Sequence, residues 1–187
     1  MTHTFHTSRP GLEGDRSRPH MILVGLPGSG KTTVGRSVAD RLDRPFLDLD
    51  LEIERREGES IAQIFGERGE AYFRELERQL TQELRSCGGM IVSPGGGWVA
   101  NPGLVALVRP PGRLIYLKVR PETAIKRLGG STALRPLLSR PDPLGELKRL
   151  HAGRRSAYES ADWIVDTELH DLQGVIDEVL KLVLAAR

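Results

Sequence analysis

Residues 25–32 read GLPGSGKT and fit the pattern G-x-x-x-x-G-K-[ST] in full. Gly25, Gly28 and Gly30 permit backbone angles and close approaches that a Cβ would block, so successive main-chain N–H groups can turn inward around an anion. A helix starting at the end of the loop adds the positive end of its dipole. Lys31 then reaches the outer phosphates of a nucleoside triphosphate, and the Thr32 hydroxyl becomes a ligand for Mg²⁺. Nucleotide contacts are expected from Gly28, Ser29, Gly30, Lys31, Thr32 and Thr33, which makes ATP and Mg²⁺ the expected cofactors.

A second constellation lies in FLDLDLEIE (46–54), where Asp48 and Asp50 stand two apart at the end of what reads as a buried strand. Residues two apart on a strand share a face, roughly 6–7 Å from one another. Both carboxylates then point into the crevice beside the phosphates. Asp48 would hold Mg²⁺ through water, and Asp50 would bind a substrate hydroxyl or accept its proton. The plainer alternative is that these acids cap the helix that follows. Burying a bare carboxylate is costly without a partner, which favours a site.

The elements that must position these groups alternate along the chain. MILVG (21–25) reads as a buried strand and is followed by the loop and a helix to about Leu42. PFLDLD supplies the second strand, and Ser60 caps a short helix in IAQIFGERG. Phe73, Leu76, Leu80 and Leu84 recur at helical spacing between Glu70 and Arg85. MIVS (90–93) ends in Pro94-Gly95-Gly96-Gly97, Asn101-Pro102 opens a further helix, and RLIYLKV (113–119) precedes the helix PETAIKRL. Residues 129–143 hold no sustained period and read as a mobile lid. A helix from about Leu144 to Ser160, the strand WIVDT and a last helix at about 172–185 complete the order. The spacing predicts an α/β, three-layer P-loop fold: a five-stranded parallel sheet with helices on both faces, a small helical substrate-binding region (about 51–86) and the lid. One domain spans 21–187, and residues 1–20 read as a disordered leader.

Bulk properties narrow the class. A net charge of +2 over 187 residues argues against nucleic-acid or membrane-surface partners, and no apolar run approaches the length of a membrane span. A single cysteine, Cys87, fits a reducing cytoplasm.

Taken together, GLPGSGKTT, FLDLDLEIE, SIAQIFGERGEAYFRELE, SPGGGWV, RPLL and RRSAY occur in the order and at the spacing seen in shikimate kinases, and the chain resembles that family from about Met21 to Thr167. The resemblance implies ATP-dependent phosphorylation of the 3-hydroxyl of shikimate, in aromatic amino-acid biosynthesis, by a monomeric enzyme. It further implies that Arg74 and Arg154 hold the shikimate carboxylate, with Arg155 the nearest competitor to Arg154, because this chain reads Arg154-Arg155-Ser156-Ala157-Tyr158 where the family usually shows R-x-P-L-Y. Paired guanidinium forks suit a carboxylate. Gly95, Gly96 and Gly97 would bring bare N–H groups to the substrate, Asp50 would bind ring hydroxyls as base or positioning acceptor, Arg135 of the lid would reach the transferring phosphoryl group, and Arg127 would pack against adenine. Rival readings are a related small-molecule kinase such as a gluconate kinase, a nucleoside monophosphate kinase, or a non-catalytic sensor built on the same domain.

Overall fold

The computed structural model describes residues 14–129 and 141–186. Five strands form one sheet: β1 (Met21–Val24), β2 (Phe46–Asp48), β3 (Ile91–Ser93), β4 (Arg113–Lys118) and β5 (Trp163–Asp166). Their order is β2-β3-β1-β4-β5, and every pairing is parallel. β1 lies at the centre with Ile22 opposite both Val92 and Leu114, which is why its sequence is apolar on both faces. Alternation then divides the core. Ile22 and Val24 of β1, with Leu114 and Tyr116 of β4, face one layer, whereas Met21, Leu23, Ile115 and Leu117 face the other.

The second layer is closed by α1 (Lys31–Leu42) and α8 (Leu172–Ala185), through Val34, Val38, Val175, Val179 and Val183. The first is closed by α4 (Gly69–Leu84), α5 (Pro102–Val108), α6 (Pro121–Leu128) and α7 (Pro143–Glu159), with Phe73, Leu80, Leu104, Ala124 and Leu147 buried. Asn101, Asp142 and Asp171 each accept an N–H from the first turn of the helix they precede, as short polar caps do. No described helix is long and apolar enough to cross a membrane.

One element differs from the sequence reading. β2 stops at Asp48, and α2 (Leu49–Glu57) begins at once, so Asp48 and Asp50 do not share a strand face. Asp48 is the N-cap of α2, accepting from Leu51 N–H at 3.3 Å, and Asp50 lies in the first helical turn. The alternation of Leu49, Leu51 and Ile53 imitates a strand, but their burial has the helical period: Leu49 and Ile53, four apart, are buried while Leu51 is exposed. The capping alternative therefore holds for Asp48, which is drawn into the site by a second contact described below.

α2, α3 (Ile61–Glu67) and α4 form the small helical region beyond the sheet. Ser60 and Gln63 make a complete capping box for α3. Arg56 joins α2 to α4, bonding Glu52 on its own helix and both carboxylate oxygens of Glu83, at 2.7 and 2.8 Å. The expected lid, with Arg135, falls largely on residues 130–140, outside the described residues.

Residues 14–20 precede β1 and pack beneath the sheet. Arg18 C=O accepts from Gly89 N–H, and Pro19 C=O accepts from Arg44 Nη2. His20 is buried between α4 and β3. Its Nε2 bonds the Leu84 carbonyl at 2.9 Å, and its Nδ1 accepts from Met90 N–H at 3.3 Å, a pairing that requires the neutral ring. Burial lowers its pKa from the ordinary 6.5, so the unfolded chain takes up the proton first. The contribution of His20 is thus complete above that value and is lost as pH falls toward the depressed one. In urea unfolding, the stability difference between wild type and His20→Leu is expected to shrink as pH is lowered from about 7 to about 5. A difference that stays constant with pH would show that the ring does not titrate in this way.

Candidate active site

All five strands run toward the same edge of the sheet, and a cleft of about 1040 Å³ opens there. Its first wall is the loop between β1 and α1. Gly28 (φ 83°) and Gly30 (φ 94°) hold left-handed backbone conformations, and a Cβ on Gly28 would stand 2.4 Å from the Ala124 carbonyl oxygen. Lys31 Nζ lies within the loop, 2.9 Å from the carbonyl oxygens of Gly25 and Leu26. Thr32 Oγ1 donates to Asp48 Oδ2 at 2.7 Å. This is the contact that turns the cap of α2 toward the phosphate loop. It places two hard oxygen donors side by side at the start of α1, a donor set that fits Mg²⁺ with water and phosphate oxygens filling its other positions. Ser29 and Thr33 line the same wall.

At the far end of that wall Arg127 closes the cleft from α6. Its Nη1 donates to Thr167 Oγ1 at 2.8 Å and its Nη2 to the Thr167 carbonyl at 2.9 Å.

The opposite end is built by α2, α4, α7 and the segment after β3. Asp50 faces Gly95 so closely that a Cβ on that glycine would lie 2.7 Å from Asp50 Oδ1. A Cβ on Gly97 would lie 2.9 Å from Arg74 Nη2 and 3.3 Å from Arg154 Nη2, and one on Gly96 3.5 Å from Arg154 Nη1. The glycine triplet therefore runs between the carboxylate and two guanidinium groups. Tyr158, one turn beyond Arg154 on α7, donates to the Gly96 carbonyl at 2.9 Å and stacks on Tyr116 with ring centroids 4.9 Å apart. Arg155 turns outward to Glu159, at 2.8 Å, so Arg154 is the arginine that α7 delivers to the cleft. Phe65 and Phe73, 4.9 Å apart, give this end an apolar wall.

Three comparisons bear on this geometry. The sequence matches the family model described as shikimate kinase over residues 27–184. The chain belongs to the shikimate kinase family. Curated shikimate kinases from Symbiobacterium thermophilum (40% identical over 164 residues) and Burkholderia pseudomallei strain 1710b (41% over 165 residues) align with 87% of this chain and with 94% and 89% of their own lengths. A solved shikimate kinase from Acinetobacter baumannii, in complex with shikimate, superposes with a TM-score of 0.85 at 34% identity, covering 92% of this chain and 96% of that one. Members of this family are ATP-using phosphotransferases.

In the shikimate kinase cleft one residue was not singled out by the sequence reading. Glu77 on α4, three residues beyond Arg74, has its side chain wholly buried, and its Oε2 accepts from Arg74 Nη1 at 2.5 Å. It stands in the quoted segment YFRELE, where apolar Phe73 and Leu80 place it on the inward face; that placement was the available signal. Its Oε1 has no hydrogen-bond partner among the described residues. Burial pushes the Glu77 carboxyl up to about 7, against the pull of Arg74 and with the nearby Asp50 adding to the rise. The folded chain therefore holds this proton between the ordinary 4.5 and about 7, where the unfolded chain has released it. Its stabilising share is complete below 4.5 and disappears as pH rises through 7. Glu77→Gln fixes the neutral form, so the melting temperature of wild type is expected to fall relative to this variant between about pH 6 and pH 8; parallel curves would contradict the assignment.

Proposed function

We propose that this chain transfers the γ-phosphoryl group of ATP to the 3-hydroxyl of shikimate, as a monomer in the cytoplasm, within aromatic amino-acid biosynthesis. One observation carries the reading: Asp50, Gly95–Gly97, Arg74 and Arg154 line the same cleft as the phosphate loop. A small acid fits that arrangement. Arg74 and Arg154 offer two forks to its carboxylate, held near one another despite like charge because Glu77 lies beside Arg74. Glycine N–H groups approach its ring, and the apolar faces of Phe65 and Phe73 cover it.

Asp50, across the glycine segment from the two arginines, is then the group that meets the 3-hydroxyl. As an acceptor it orients that oxygen toward the phosphate loop, and as a base it takes the proton released when the new O–P bond forms. Lys31 and the loop N–H groups bind the phosphates, Thr32 and Asp48 hold Mg²⁺, and Arg127 meets the base. When bound, Mg²⁺ supplies charge neutralisation on the phosphate oxygens. Arg135 remains the proposed lid cation.

ADP release in a coupled assay, with shikimate, gluconate, AMP or no acceptor, tests the reading; turnover is expected with shikimate alone and only when Mg²⁺ is present. Asp50→Asn is expected to lower kcat by about 10²-fold or more while ATP binding persists. Arg74→Ala is expected to raise the KM for shikimate by about tenfold or more, with the KM for ATP little changed. Unaltered shikimate kinetics in Arg74→Ala would refute the carboxylate clamp, and equal turnover of gluconate would refute the acceptor.

A further inference from the structure

We infer that Thr167 is a positioning residue for the nucleotide, holding the N–H edge of Arg127 so that the guanidinium face is left for the base. This rests on the reading of Arg127 as the base contact.

Thr167 follows β5 directly and is buried. It meets Arg127 twice, once through its hydroxyl and once through its carbonyl, and these bonds occupy both terminal nitrogens of the guanidinium. Two parallel bonds to one residue fix the plane of the group as well as its position. The Thr167 hydroxyl is itself oriented, because it donates to the Lys118 carbonyl at the end of β4 at 3.0 Å and so presents a lone pair to Arg127. The chain of bonds thus runs from the sheet to the arginine.

These bonds are not needed to dock α6. Its first turn is tied to the neighbouring residue of the same segment: Glu168 accepts from Thr123 Oγ1, from Arg120 N–H at 3.3 Å and from Arg120 Nε at 2.9 Å. At mid-helix, Gly28 sits too close to the Ala124 carbonyl for any side chain between them. With the helix fixed at both places, the contacts at its last turn serve to orient the arginine. A guanidinium committed along its edge binds an aromatic base through its face, by stacking and cation–π attraction. Leu172, half-exposed at the start of α8 and lining the cleft, extends the apolar surface at this end.

The test separates the base from the phosphates. ADP and pyrophosphate, each with Mg²⁺, are titrated calorimetrically into wild type, Thr167→Val, Thr167→Ser and Arg127→Ala. Thr167→Val keeps the β-branched shape, and the Lys118 carbonyl keeps its bond from the Thr167 main-chain N–H. Loss of one bond to a charged group is expected to weaken ADP by about fivefold to tenfold while leaving pyrophosphate within about twofold. Thr167→Ser, which retains the hydroxyl, is expected to restore ADP binding to within about threefold of wild type. Equal weakening of ADP and pyrophosphate would make the role structural and overturn the inference. So would unchanged ADP binding in Thr167→Val alongside weakened binding in Arg127→Ala, a result that spares the base contact. Unchanged ADP binding in Arg127→Ala would remove the base contact and the inference together. Should Thr167→Val fail to fold, Thr167→Ala serves in the same comparison.

Discussion

The carboxylate of Asp48 joins three elements: β2, which it ends, α2, which it caps, and α1. One oxygen caps α2 by accepting from Leu51 N–H, and the other accepts from the Thr32 hydroxyl at the start of α1. A strand is thereby turned into a helix within a single residue, at the point where the phosphate loop ends. The direction in which α2 leaves the sheet follows from this, and with it the placement of Asp50 and of the helical region behind it. Because the cap of α2 and the start of α1 share one side chain, the Asp50 end of the cleft and the glycine-rich loop are fixed in one frame.

Charge is managed by pairing at close quarters. Arg74 and Arg154 approach the same glycine, an arrangement that costs repulsion unless acids stand near. Glu77 is buried against Arg74 and Asp50 sits across the glycine segment, so two acids stand beside the arginine pair. Burial raises the carboxyl of Glu77 more than one arginine can lower it, so its ionisation tracks the local field. Around this cluster the link of Arg56 to Glu52 and Glu83 binds α2 to α4, so the residues that contribute the acids and the first arginine share one rigid support.

Much of this was legible in the residues. The phosphate loop announces itself through spacing that only a main-chain anion cradle needs, and the parallel sheet follows from strands alternating with helices. The buried face of α4 is visible in the recurrence of Phe73, Leu80 and Leu84. Two features were hidden for physical reasons. LDLEIE carries its apolar residues at every second position, so a short helix that buries only Leu49 and Ile53 has the same pattern as a half-buried strand; the deciding fact, a cap shared with Thr32, is tertiary. Glu77 looks like any helical acid beside an arginine, and its complete burial is set by tertiary packing that spacing does not show. The choice between Arg154 and Arg155 likewise needed the helix phase, which only the packing of Tyr158 and Leu147 supplies.

The bond from Tyr158 to the Gly96 carbonyl has a consequence for what the pocket rejects. That oxygen is drawn back toward a wholly enclosed phenol, itself immobilised by its stack on Tyr116, and away from the open space. The peptide plane can rotate only as a unit, so withdrawing the acceptor commits this stretch to its opposite polarity. On the proposed reading, an aminated counterpart of the acid, with its cationic end in the same seat, would face two guanidinium groups and find no carbonyl of Gly96 to soften them. The polarity of this stretch is thus set by a buried hydroxyl behind the cleft wall.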